Sequence, residues 1–303
     1  MQILRPLLVP ELRMRGQDFL SQESSFGKAI QGSALTSMLD NSLTHLLLAF
    51  ILGGVCVGSA TLAAKKFHSG IGGLIGGLPS ISSVSFFFIG LNQSPEAAYQ
   101  ATTAFPLGMS FTFLFLLVYT TLSEKGFKIA MTSALLVWFT LSGTEAYVHL
   151  RNLLVSITAV TAMFALSMYI YNVRLKVPYA RGAQTGFSAV KFLEYALLGG
   201  GVVAVAVYLS QVLGTTAGGI AAAVPAIFSM TLTLTYLSEG GMTLSRSVAK
   251  PLMITAYSVA FPYSLLVGWL YPSVGLYVGT LAAFAFIIPL AYCAYILVHK
   301  KRI

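Results

Sequence analysis

Charge is scarce in this sequence: Asp, Glu, Lys and Arg make up 9% of the 303 residues, against 56% apolar ones. A soluble domain carries about a quarter of its residues charged, so a water-exposed globule is excluded. Cysteine is nearly missing as well. Cys56 and Cys293 are the whole complement and both fall inside apolar runs, which leaves no disulfide framework and no thiolate metal site. They read as small packing residues. The histidines His45, His68, His149 and His299 are isolated from one another, so the His-Glu-x-x-His spacing of zinc proteases is absent. Paired aspartate clusters for a magnesium diphosphate, a Walker motif, a haem ligand pair and a dinucleotide fingerprint are absent too. Gly32-Ser33 and Gly58-Ser59 offer a rhomboid-like Gly-Ser pair without a marked histidine partner. No metal, no cofactor and no enzymatic activity are expected.

What remains is hydrocarbon-like. Mean hydropathy is +0.81, and apolar runs of about twenty residues recur, the length that crosses a bilayer as a helix. We place spans at 43 to 64, 71 to 91, 97 to 122, 127 to 147 and 151 to 173, then at 189 to 212, 216 to 237, 243 to 269 and 273 to 297. The expected fold is all-α and polytopic, with nine transmembrane helices. Residues 1–42 hold no spanning run; Arg5, Glu11, Arg13, Arg15 and Asp18 punctuate apolar residues, as in an interfacial helix or a flexible arm. The net charge of +9 would suggest nucleic acid in a soluble protein, but here the basic residues sit in short connections between spans. No nucleic-acid partner is expected. All lysines and arginines except Arg5, Arg13, Arg15, Lys28 and Arg151 fall on one side of the bilayer, which predicts a cytoplasmic C-terminus and an outside N-terminus.

One motif occurs twice. Gly72, Gly73, Pro79, Ile81 and Ser83 return as Gly218, Gly219, Pro225, Ile227 and Ser229, at a constant offset of 146 residues. The same offset pairs Leu52-Gly53-Gly54 with Leu198-Gly199-Gly200 without a gap. The second copy starts five crossings after the first, and an odd number of crossings inverts it. Four spans, a linking span and four spans predict two inverted-topology repeats: residues 43–147 as the first, 148–188 as linking helix and cytoplasmic linker, and 189–303 as the second. Many secondary transporters use that arrangement around a midplane site.

The motif has a physical meaning in lipid. Pro79 and Pro225 have no amide hydrogen, so the carbonyls of Ile75 and Ala221 are expected to lose their helical partners near mid-span. Such groups are tolerated at membrane depth where protein or a water-lined cavity satisfies them. Gly72, Gly73, Gly76 and Gly77 give a small face for close backbone approach. Hydroxyls follow each proline. Ser80, Ser82 and Ser83 in the first copy, and Ser229, Thr231 and Thr233 in the second, are the candidate substrate-binding residues with the two prolines; back-bonding to their own helices is the alternative.

Charged candidates are weaker. Ser94-Pro95-Glu96 is a helix start, which accounts for Glu96 as a first-turn carboxylate, and Gln100 adds polarity behind it. Arg246 and Lys250 lie one turn apart and could attract an anionic substrate or lipid headgroup, with Glu239 as a possible counter-charge. Glu145 and Glu194 lie in or near apolar runs, beside Arg151 and Lys191 respectively, and either could couple a proton.

At the Gly-Gly-x5-Pro motif the chain resembles the drug/metabolite-transporter-like superfamily, built from duplicated, inverted sets of short hydrophobic helices. Each half is also similar to small bacterial and archaeal membrane proteins of the GlpM-like alginate-accessory group. The likeness covers residues 44 to 95 and 190 to 241; span five departs from the superfamily's pattern and makes nine spans rather than ten. It implies a prokaryotic plasma membrane and transport of a small organic solute or ion by alternating access. A non-transporting accessory or scaffold protein for lipid or polysaccharide synthesis is the alternative. The bilayer and an unidentified small molecule are the expected partners; the oligomeric state is left open.

Overall fold

The computed structural model describes residues 42–60, 75, 78–148, 152–177, 189–237 and 239–300. The expected interfacial arm, the glycine face at Gly72, Gly73, Gly76 and Gly77, and the linker from Pro178 to Ser188 lie outside the described residues. Contacts divide the chain into two units, Met1–His45 and Leu46–Ile303, and the helices below belong to the second apart from the first turn of α1.

Every regular element among the described residues is helical, and the fold is that of an all-α polytopic membrane protein. The helices are α1 Ser42–Ala60, α2 Ser80–Asn92, α3 Pro95–Leu122, α4 Phe127–Val148, α5 Leu153–Ile170 and α6 Ala189–Val212. They continue as α7 Thr215–Ala222, α8 Ala226–Tyr236, α9 Gly241–Thr255, α10 Phe261–Val274 and α11 Leu276–Lys300. Among the described residues eight stretches are long and apolar enough to cross a membrane, and the shorter α2 occupies the second part of the expected span at 71 to 91.

Two spans form the centre. The apolar windows of Pro95–Lys125 and Gly241–Val274 are 78% and 67% buried, against 17% for those of Leu153–Leu175 and Leu276–Ile296. The outer helices present Leu136, Phe139, Leu154, Leu281 and Ile288 to the surroundings, a surface that only hydrocarbon suits. Helix α3 begins as its sequence dictates: Ser94 accepts from the Ala97 amide at 3.1 Å, Pro95 takes the first position and Glu96 sits at the positive end. At 28 residues it is about 42 Å long, enough for a tilted crossing. Its small residues, Ala101 among them, admit a second backbone closely: a Cβ on Gly219 of α7 would strike the Ala101 carbonyl.

The other central span must accommodate more proline. Pro262 cannot donate to Ser258, and a wide turn at Ala256–Ala260 absorbs the missing bond between α9 and α10. The two central spans run antiparallel. Thr102 near the start of α3 touches Gly268 in α10, whereas Tyr119 near its end shares a 2.6 Å hydroxyl hydrogen bond with Ser245 in α9.

Helices α1 and α6 carry the clearest trace of duplication. A Cβ on Gly53 would meet Val203, and one on Gly199 would meet Val57; a Cβ on Gly54 would meet the Ala196 carbonyl, and one on Gly200 the Phe50 carbonyl. Each contact is its partner's mirror at the offset of 146. That reciprocity is the mark of a two-fold interface. Since Phe50, Gly54 and Gly58 meet Gly200, Ala196 and Phe192 in falling order, the helices are antiparallel and the two-fold lies across them rather than along them.

Candidate functional site

The two prolines break their spans in the same way. Pro79 has φ −75 and ψ 45, and Pro225 has φ −76 and ψ 41. Each centres a tight turn of inverse-γ type, closed by Ser80 N–H donating to the Leu78 carbonyl at 2.7 Å and by Ala226 N–H donating to the Val224 carbonyl at 2.8 Å. The amides of Ser83 and Ser229 then donate to the proline carbonyls at 2.9 and 2.8 Å, starting α2 and α8. One expectation is corrected here. The carbonyls of Ile75 and Ala221 are not left open, because Leu78 and Val224 donate to them at 3.2 Å each through three-residue turns. The groups released by the breaks are instead amides: neither helix start has a side-chain cap.

Both breaks reach one cavity of about 50 Å³. Leu78, Pro79 and Ser82 line it from the first and Ala223, Val224 and Phe228 from the second. Phe105, Met109 and Thr112 of α3 and Ala256 and Ala260 of the wide turn complete it. Among the described residues its wall is mainly apolar and contains no ionisable side chain. Beside it, Thr112 Oγ1 lies 2.7 Å from the Ala223 carbonyl and accepts from Trp138 Nε1 at 3.0 Å. The hydroxyl thereby ties the second break to α3 and α4. Neither Thr112 nor Trp138 was singled out from the sequence; a tryptophan in mid-span, whose N–H must find a partner in lipid, was the available signal.

The hydroxyls expected to line the site divide. Ser82 lines the cavity, with its Oγ turned 3.5 Å from the Pro79 carbonyl. Ser83 bonds back to Ser80 at 3.3 Å and Thr233 to Ser229 at 2.7 Å, as hydroxyls in apolar helices do. Ser80 starts α2 without lining the cavity, and Ser229 and Thr231 have buried hydroxyl oxygens without a hydrogen-bond partner. Ser85 matches Thr231 at the repeat offset and is in the same state.

The charged candidates do not gather at this cavity. Arg246 reaches Glu124 at 3.3 Å rather than Glu239, because α9 starts beside the end of α3. Lys250 donates to Asn172 Oδ1 at 2.6 Å. At the opposite end, Glu96 is exposed and Gln100 accepts from Thr215 at 3.1 Å. Glu145 is buried in α4 and Glu194 is exposed on α6, neither of them in the cavity wall.

A family described as protein of unknown function (DUF3147) matches residues 46–151, which run from α1 past the end of α4. No curated protein and no solved structure matches the chain.

Proposed function

We propose that this membrane protein is a secondary carrier, in which the inverted halves rock about a central site between the Pro79 and Pro225 breaks. The observation that carries the reading is the convergence of two matched helix breaks on one cavity. Discontinuous helices whose starts point at a midplane site from opposite sides bind solutes through their free amides, without ionisable side chains. Ile81 and Ser82 in α2 and Ile227 and Phe228 in α8 stand at those starts and line the cavity. A solute held this way is small and either uncharged or anionic. The space of about 50 Å³ holds no more than a few water-sized groups, so a larger solute needs the breaks to part, as rocking would allow.

The match of a family to residues 46–151 supports treating the first four spans as one unit. The basic end formed by Lys125, Lys128, Arg174, Lys176, Arg246 and Lys250 supports a cytoplasmic C-terminus. The small, tightly lined core also favours a second reading, a non-transporting accessory protein. Uptake of pooled small solutes into proteoliposomes, with and without a proton or sodium gradient, separates the two. Gradient-dependent uptake of at least one solute is expected of a carrier, and its absence across the pool leaves the accessory reading.

A further inference from the structure

A second space lies on the flank of the molecule. Helices α4, α6 and α7 enclose a groove of about 580 Å³, within the range of about 300–1,000 Å³ typical of ligand pockets. Trp138 and Ser142 of α4, Leu198 and Val205 of α6, and Ile220 and Val224 of α7 and its break line it. It exists because side chains are missing. Gly143 and Gly201 both border it, and a Cβ added at either would meet nothing. At the repeat offset these positions are Pro289 in α11 and Val55 in α1, so the corresponding pair of helices carries side chains where α4 and α6 carry none.

We infer that this groove binds one long alkyl chain of an amphiphile drawn from the surrounding bilayer leaflet. Three observations select that occupant. The groove opens between spans whose apolar windows are only 22% and 33% buried, so what enters must come from hydrocarbon. Its lining is apolar almost throughout, which suits a chain and not a peptide or an ion. One exception is informative: Ser142 is 6% exposed and its Oγ has no hydrogen-bond partner, leaving a donor for an ester or hydroxyl oxygen of the bound amphiphile. Val224 borders both this groove and the central cavity, so the chain rests against the second helix break.

The inference concerns binding and does not depend on the carrier reading. Its test uses the two tryptophans of the chain, Trp138 in the groove and Trp269 on the outer surface. Full-length protein carrying Trp269→Phe is reconstituted in phosphatidylcholine with brominated acyl chains and, separately, in the unbrominated lipid. Trp138 is only 3% exposed, so bulk lipid reaches it poorly, whereas a chain in the groove places bromine against the ring. Its emission should be at least halved by the brominated lipid, and Gly143→Leu or Gly201→Leu should restore it by filling the groove. Both substitutions enter open space, and thermal midpoints read on the same samples check that the fold holds. Equal emission in the two lipids, or quenching that persists in both filled variants, overturns the inference.

Discussion

The first and second helix breaks share a backbone and differ in how they are held. Pro79 and Pro225 adopt nearly the same φ and ψ, and the three backbone hydrogen bonds described around Pro79 each have a counterpart around Pro225. Around the second, Thr112 reaches the Ala223 carbonyl and Trp138 donates to Thr112. At the offset of 146 those residues become Ser258, whose hydroxyl bonds back to Ile254 at 2.6 Å, and Phe284, which packs on Tyr263. Local sequence, a proline after small residues, therefore fixes the turn. Tertiary surroundings decide how firmly the turn is tied down. A carrier built on this plan would have two gates of unequal strength.

The two-fold itself is the first thing to break. Gly54→Val and Gly200→Val each drive a side chain into a backbone carbonyl that cannot yield, of Ala196 and Phe50 respectively. Each should destabilise by about 3 kcal/mol, and the two should lower the thermal midpoint in detergent alike. Clearly unequal shifts would mean that the reciprocal contacts are not equivalent. A smaller effect separates the breaks. Thr112→Val leaves the Ala223 carbonyl and the Trp138 N–H without partners and should cost about 1–3 kcal/mol. Ser258→Ala loses only a bond within its own helix and should cost about 0.5 kcal/mol or less. Equal losses would erase the asymmetry.

The smallest effect on the protein, and a sharp one for its orientation, is labelling. Lys128→Cys in a background with Cys56 and Cys293 replaced should leave the fold untouched, since Lys128 is exposed at the start of α4. An impermeant thiol reagent added to intact cells should not reach it. Ready labelling would place the basic end outside and reverse the assignment.

Much of the fold was legible because lipid leaves the sequence few options. Apolar runs near twenty residues marked the spans, Ser94-Pro95-Glu96 marked the start of α3 where the helix begins, and the odd spacing of the repeats required inversion. The antiparallel reciprocity of Gly53 and Gly54 with Gly199 and Gly200 follows that inversion. The site was less legible. Proline showed where hydrogen bonds must fail, but not that Leu78 and Val224 would recapture the Ile75 and Ala221 carbonyls. Hydroxyl runs could not say which oxygens turn back on their helices, as Ser83 and Thr233 do. The partner of Arg246 is set by helix ends far apart in sequence, and the flank groove by glycines whose meaning depends on having no neighbour.

The central claim is that both breaks belong to one transport path. It is tested most directly by Pro79→Ala and Pro225→Ala, measured for solute flux and thermal midpoint in the same liposome preparations. Alanine allows each span to heal, because it restores an amide and removes the ring clash, so stability should hold or rise. The account predicts that flux is lost in each variant despite that stability. Undiminished flux in both would contradict it, and would leave the matched prolines as elements of helix packing.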